Sequence, residues 1–250
     1  MKMNRPIKNP QGFTLLELAF SLAIIATLVA ILLPKGVDAL RNSRVQQVAK
    51  TVDTLKTAIT NYLGLSGGNG SIPRTEGTGI PCSGVALSAA TDTAKGNGAR
   101  LDTVLLATGM IDRPLSVRMG TQAGASTGSG NEMTWNQALP AFVITPDAAP
   151  QRNWTGVTRV EARSSQPGTL PSVALGANFR LDGATDRPAN VVIAYLVLPA
   201  CPYADALALA TQLNGAQLAP AVGAASDTGI VAYAAPTNGF TDVYIYLTEV

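Results

Sequence analysis

The sequence predicts an α+β protein: a long amino-terminal α-helix, first transmembrane and then amphipathic, packed on a mostly antiparallel β-sheet domain. Three observations carry this expectation. An unbroken apolar run stands near the start, a helical apolar periodicity follows it, and the remainder consists of short apolar runs separated by Gly, Pro, Ser and Thr. With 250 residues the chain has room for one sizeable core plus an appendage. It is 46% hydrophobic and 14% charged, a balance that excludes an intrinsically disordered chain.

The apolar run, Phe13 to Leu33, reads FTLLELAFSLAIIATLVAILL and contains neither Gly nor Pro. As a helix it spans roughly 31 Å, the thickness of a bilayer's hydrocarbon core. Lys2, Arg5 and Lys8 precede it with no acid among them. By the positive-inside tendency the amino terminus stays cytoplasmic and everything after Leu33 crosses the membrane. Without those three residues, fifteen basic side chains face sixteen acidic ones, which is not the charge balance of a polyanion-binding domain. The run ends in Leu32-Leu33-Pro34 with no Ala-x-Ala after it, unlike a secretory signal peptide. Its one ionisable side chain, Glu17, would cost about 2.5–3.5 kcal/mol at the bilayer centre, and less near an interface. A carboxylate kept at that cost needs a partner.

After Pro34 the apolar positions Val37, Leu40, Val45, Val48, Val52, Leu55, Ile59 and Tyr62 recur mostly at three- and four-residue steps. Pro34 removes one backbone donor and is expected to kink the helix, with Gly36 loosening the same turn; a plain membrane stop accounts for it equally. Gly64 and the SGGNGS run signal the helix end. The stripe has too few heptads, and no e/g charge pattern, for a coiled coil, so it is expected to lie against the chain's own globular domain. From there the reading gives a helix over 97–109 and strands over 115–119, 141–145, 157–163, 191–198, 230–234 and 240–248. A second helix runs over 203–213 and stops at Asn214-Gly215, and 122–130 is a loop. AAPTNG between the last two strands suits an antiparallel hairpin.

Candidate chemistry is sparse. The histidine count is zero, which closes Ser-His-Asp and Cys-His catalysis and imidazole zinc sites. Asp182-Gly-Ala-Thr-Asp186 has loosely calcium-like spacing but lacks the acid-rich run and terminal Glu, so it reads as a solvated turn. The Gly-rich stretches near Gly67 and Gly128 lack a following Lys-Ser/Thr, so they are not phosphate loops. The sequons at Asn69 and Asn153 carry little weight, and Trp135 and Trp154 are expected in a core. No catalytic residue, cofactor site or metal site is assigned.

Gln11-Gly12-Phe13-Thr14-Leu15-Leu16-Glu17 resembles the processing motif of type IV prepilins and related pseudopilins, a resemblance covering about the first fifth of the chain. The resemblance implies a pilin-like fold and a cut between Gly12 and Phe13 by a membrane prepilin peptidase, followed by N-methylation of Phe13. It makes Glu17 the assembly residue, paired with the new Phe13 amine of its own chain or a neighbour's, and Pro34 the helix kink. Glycine before the cut leaves a protease an unobstructed, extended backbone. An intermolecular ion pair would set the register between subunits, the best-attested use of such a pair.

The implied organisation is a leader over 1–12, a helix over 13–63 (membrane and assembly segment 13–33, amphipathic 34–63) and an extracytoplasmic globular domain over 64–250. The implied partners are further copies and other pilins in a filament, the prepilin peptidase and methyltransferase, and an inner-membrane assembly platform with a cytoplasmic ATPase. The chain would sit in a bacterial inner membrane before assembly and on the cell surface afterwards. Adhesion, twitching movement and DNA uptake are the family's functions, the last being the one route to a nucleic acid. Two other readings stand beside the pilus subunit: a pseudopilin of a type II secretion system, and a membrane-anchored domain that never polymerises. Pilins commonly carry a disulfide in the globular domain. The resemblance therefore implies a bond between Cys82 and Cys201, with two buried free thiols as the alternative.

Overall fold

The computed structural model describes residues 14–65, 72, 74–75, 82–83, 101–113, 115, 117–120, 132–136, 141–145, 158–169, 178–215, 218 and 223–250. In chain order its elements are α1 (Leu15–Leu65), β1 (Cys82–Ser83), α2 (Leu101–Ala107), β2 (Glu132–Asn136), β3 (Ala141–Thr145), β4 (Arg159–Ser164), β5 (Val192–Pro202), α3 (Tyr203–Asn214), β6 (Val231–Tyr233) and β7 (Phe240–Glu249). Two compact units divide the chain, Met1–Ser43 and Arg44–Val250.

In the second unit a four-stranded sheet, ordered β4-β5-β7-β6, is antiparallel at every pairing. A smaller sheet, β1-β3-β2, joins β3 to β2 antiparallel and to β1 in parallel. Side chains alternate across a strand, so each strand of the larger sheet feeds two faces. Val160, Ala162, Ala194, Leu196, Leu198, Val231, Tyr233, Val243 and Ile245 share one core with α1 and α3. The α1 contribution to that core is Val45, Val48, Val52, Leu55, Ala58 and Ile59, the stripe that the periodicity marks. Its polar side is self-satisfied: the hydroxyls of Thr51, Thr54, Thr57 and Thr60 donate to the carbonyls of Gln47, Lys50, Asp53 and Lys56. The long helix, the antiparallel sheet and the α+β layout agree with the fold class the sequence predicts.

The opposite face is buried too, and it carries charges. The strand expected over 157–163 is β4, Arg159–Ser164. Arg159 and Glu161 are each 1% exposed and Arg163 is 5% exposed. Glu161 takes Arg159 Nε at 2.5 Å on one oxygen. The other accepts the Tyr195 hydroxyl at 2.7 Å and lies in ion-pair contact, without a hydrogen bond, 3.0 Å from Arg163 Nε. Two guanidiniums around one carboxylate, all on one strand face, make the charges their own partners. Burial, then the adjoining Glu161 charge, pushes the Tyr195 phenol well above its usual range. Phe179, Ile193, Val197 and Tyr244 complete this second core.

Several boundaries shift. The helix expected over 97–109 spans Leu101–Ala107, the part before 101 lying outside the described residues. α1 ends at Leu65 and α3 at Asn214. No strand forms among the described residues of 115–119; Val117 and Met119 are nonetheless buried, so alternation there reports burial and not pairing. β5 runs on to Pro202 because a register shift between Leu198 and Cys201 absorbs Ala200, whose φ is 50° and whose amide donates to Asp242 Oδ1 at 2.9 Å. The hairpin is as expected: β6 and β7 pair antiparallel, and Asn238 and Gly239 both take positive φ, as a two-residue turn of this hand demands. β1 and β2 are strands the sequence reading does not mark. The loop over 122–130, Asn69, Asn153 and Trp154 lie outside the described residues; Trp135 is placed on β2 by its backbone alone.

Candidate functional site

The first unit is read from Thr14, where α1 begins. Thr14 and Glu17 stand three residues apart, and their side chains reach back reciprocally. Thr14 donates its amide and its hydroxyl to Glu17 Oε2, each at 3.3 Å, and the Glu17 amide donates to Thr14 Oγ1 at 3.3 Å. This is a capping box, which satisfies amides that the first helical turn leaves without partners. It also places a carboxylate where the helix dipole favours negative charge. At 3.3 Å the bonds are long, so the carboxylate is held loosely. Glu17 alone is visible in the sequence as an unpaired acid; the Thr-x-x-Glu pattern is the signal that identifies Thr14 as its local partner.

Beyond the cap the helix is bare. Leu15 is 88% exposed, and Phe20, Leu22, Ile25, Leu28 and Leu33 are exposed by half or more. The chain's own core takes its first side chain at Val45. One stretch of α1 is long and apolar enough to cross a membrane. The hydroxyls within it are spent on the backbone: Ser21 donates to Glu17 O and Thr27 to Ile24 O, both at 2.8 Å. A helix that satisfies its own polar groups is what lipid tolerates. The assigned helix runs through Pro34 without interruption, and Asp38 and Arg41 pair at 3.5 Å just beyond it.

The chain carries the prokaryotic N-terminal methylation motif. The match spans residues 7–33 and is the prepilin-type cleavage and methylation motif of type IV pilins. It is a motif of structural subunits and not of an enzyme family. No curated protein and no solved structure matches the chain.

Within the motif, Gly12 and Phe13 lie outside the described residues, and Thr14 and Glu17 are the placed members that form the cap. Elsewhere, Cys201 is a buried free thiol whose Sγ–H donates to Leu198 O at 3.5 Å. Burial, then the Asp242 charge, pushes that thiol up. Cys82 is placed on β1 by its backbone alone, and the expected Cys82–Cys201 bond lies outside what the described residues show. The Asp182–Asp186 segment closes on itself. Asp182 Oδ1 accepts from the amides of Ala184 and Thr185 at 3.0 and 2.7 Å, while Asp186 Oδ1 accepts from Asn178 Nδ2 at 2.9 Å and Arg180 Nε at 2.8 Å. Among the described residues no group of three His, Cys, Asp or Glu stands ready for a metal ion.

Proposed function

We propose that this chain is a type IV pilin-like structural subunit, made as a precursor, cut between Gly12 and Phe13, N-methylated on Phe13 and polymerised through its apolar helix into a cell-surface filament. The observation that carries the reading is α1 itself. The methylation motif heads a helix whose first half exposes its apolar side chains all round and whose second half buries one apolar stripe in the chain's own core. Such a helix fits a bilayer first and a bundle of identical helices afterwards, held there by van der Waals packing of Leu, Ile and Val.

Cleavage creates an amine on Phe13, about one helical turn from Glu17. A neighbour's amine outbids the long Thr14 contacts for the carboxylate, because a charged donor makes the stronger bond. That exchange gives assembly its register. The basic leader keeps the amino terminus cytoplasmic until it is cut, and the domain after Pro34, with its helix kink there, is exported. In that compartment Cys82 and Cys201 form a disulfide. Alkylation of the unfolded, exported chain then labels neither cysteine until reductant is added; label taken up beforehand removes the bond from the reading.

The deciding experiment co-expresses wild type and Glu17→Ala and measures both in sheared surface filaments, with amino-terminal sequencing of the recovered chain. Expected are a first residue of N-methylated Phe13 and marked under-representation of Glu17→Ala. Equal incorporation removes the assembly role of Glu17. A first residue of Met1, with the chain confined to the membrane, replaces the filament with a tethered domain.

A further inference from the structure

The exposed edge of a β-sheet presents N–H and C=O groups to which a strand from another molecule can add. The four-stranded sheet has two such edges, β4 and β6, and both are occupied. On β4 the Val160 amide donates to Asp102 Oδ1 at 3.1 Å. The Ala162 amide donates to Thr75 Oγ1 at 3.1 Å, and the Ala162 carbonyl accepts from the Thr75 amide at 2.7 Å.

On β6 the outward groups are met in pairs. The Val231 amide donates to Asn214 Oδ1 at 2.8 Å, and Asn214 Nδ2 donates to Val231 O at 3.1 Å and Thr228 O at 2.9 Å. Tyr233 exchanges both of its backbone bonds with Ser226, at 2.8 and 2.9 Å. The Asn214 carboxamide thus stands where a neighbouring strand's peptide group would stand, offering one donor and one acceptor at the spacing β6 requires. Its seat is shaped for it: a Cβ on Gly229 would lie 2.6 Å from Asn214 Oδ1.

We propose that these side chains are edge locks that deny strand addition by a second copy of this chain, with Asn214 the latch on β6. The occupant they exclude is a β-strand of another copy. In each copy β7 is held between β5 and β6, so the strand that a second copy has free to add to an opened β6 is its own edge strand, β6. An assembly that holds many copies side by side raises their effective concentration, and an open edge would then compete with the intended contacts. The locks restrict association to other surfaces whether or not the chain forms filaments.

The test uses the full chain in lipid nanodiscs holding one copy each, so that the apolar helix is occupied by lipid. Asn214→Ala is compared with wild type and with Leu209→Ala, a core change in α3 that leaves both edges intact. Expected for Asn214→Ala are Val231 amide exchange roughly tenfold faster in dilute discs, concentration-dependent pairing of discs, and capture of a labelled peptide of residues 230–234. Wild type and Leu209→Ala stay single and do not take up the peptide. A folded Asn214→Ala that stays single, or equal pairing by Leu209→Ala, overturns the proposal. Should Asn214→Ala fail to fold, Thr75→Val puts the same question to β4, since it deletes the hydroxyl and keeps the Thr75 amide bond to Ala162.

Discussion

Individual residues set limits that composition conceals. Gly229 has φ +82°, and a methyl there meets the Asn214 carboxamide. Gly229→Ala is expected to cost about 1–3 kcal/mol, read as a lowered midpoint in thermal unfolding followed by tyrosine fluorescence. Thr14→Ala removes a cap and is expected to cost the helix start about 1 kcal/mol, seen as faster amide exchange at Glu17 and no change in the sheet. Asp182 and Asp186 respond to acid. The Thr185 hydroxyl first, then the Thr185 and Ala184 amides, hold the Asp182 carboxyl well below the usual carboxylate range; Arg180, then Asn178, lower that of Asp186. Carboxyls lowered by folding are protonated first in the unfolded chain, so their stabilisation is complete above an unfolded value of about 3.9 and drains away as pH falls below it. Proton titration by NMR should find both groups still ionised at pH 4 in the folded chain, and the segment over 178–187 loosening only below that.

At the scale of elements, α1 is legible in the sequence because one pattern changes halfway: apolar on every side to Leu33, apolar on one stripe from Val45. Leu55 is buried at 2% and Leu28 is exposed at 53%. Leu55→Ala should cost about 2–5 kcal/mol and lower the unfolding midpoint by roughly 5–15 °C, whereas Leu28→Ala should leave that midpoint unmoved. The sheet is legible for a similar reason where one face is plainly apolar, as in β5, β6 and β7, and where Asn238-Gly239 announces its turn. The charged face of β4 is not legible, since Arg159, Glu161 and Arg163 look like a solvated face until the strand shows them closing on one another. Nor are the edge contacts: Asn214 reads as a helix stop and Asp102 is not singled out, because their partners Val231 and Val160 lie on other elements. At the amino terminus the sequence supplies Glu17 and the cut, while the Thr14 contact waits on helix geometry.

For the molecule as a whole, the two units answer to different solvents, and processing should therefore separate from folding. The buried core draws on side chains from Val45 onward, and residues 15–40 remain exposed. Burial of apolar side chains away from water stabilises the one, and the other leaves its apolar side chains uncovered. Gly12→Leu puts a branched side chain at the proposed cut. It is expected to leave a chain that keeps its leader, stays in the membrane and is missing from sheared filaments. Its globular unit should still unfold at the wild-type temperature, because nothing in that core has changed. Leu55→Ala should do the reverse, giving a chain of mature mass that starts at Phe13 but melts early. Mass spectrometry of the membrane fraction and a thermal scan in detergent read both variants side by side. A wild-type mass for Gly12→Leu would show that removal of residue 12 does not depend on glycine there, and a lowered melting temperature would mean that the leader takes part in the folded core.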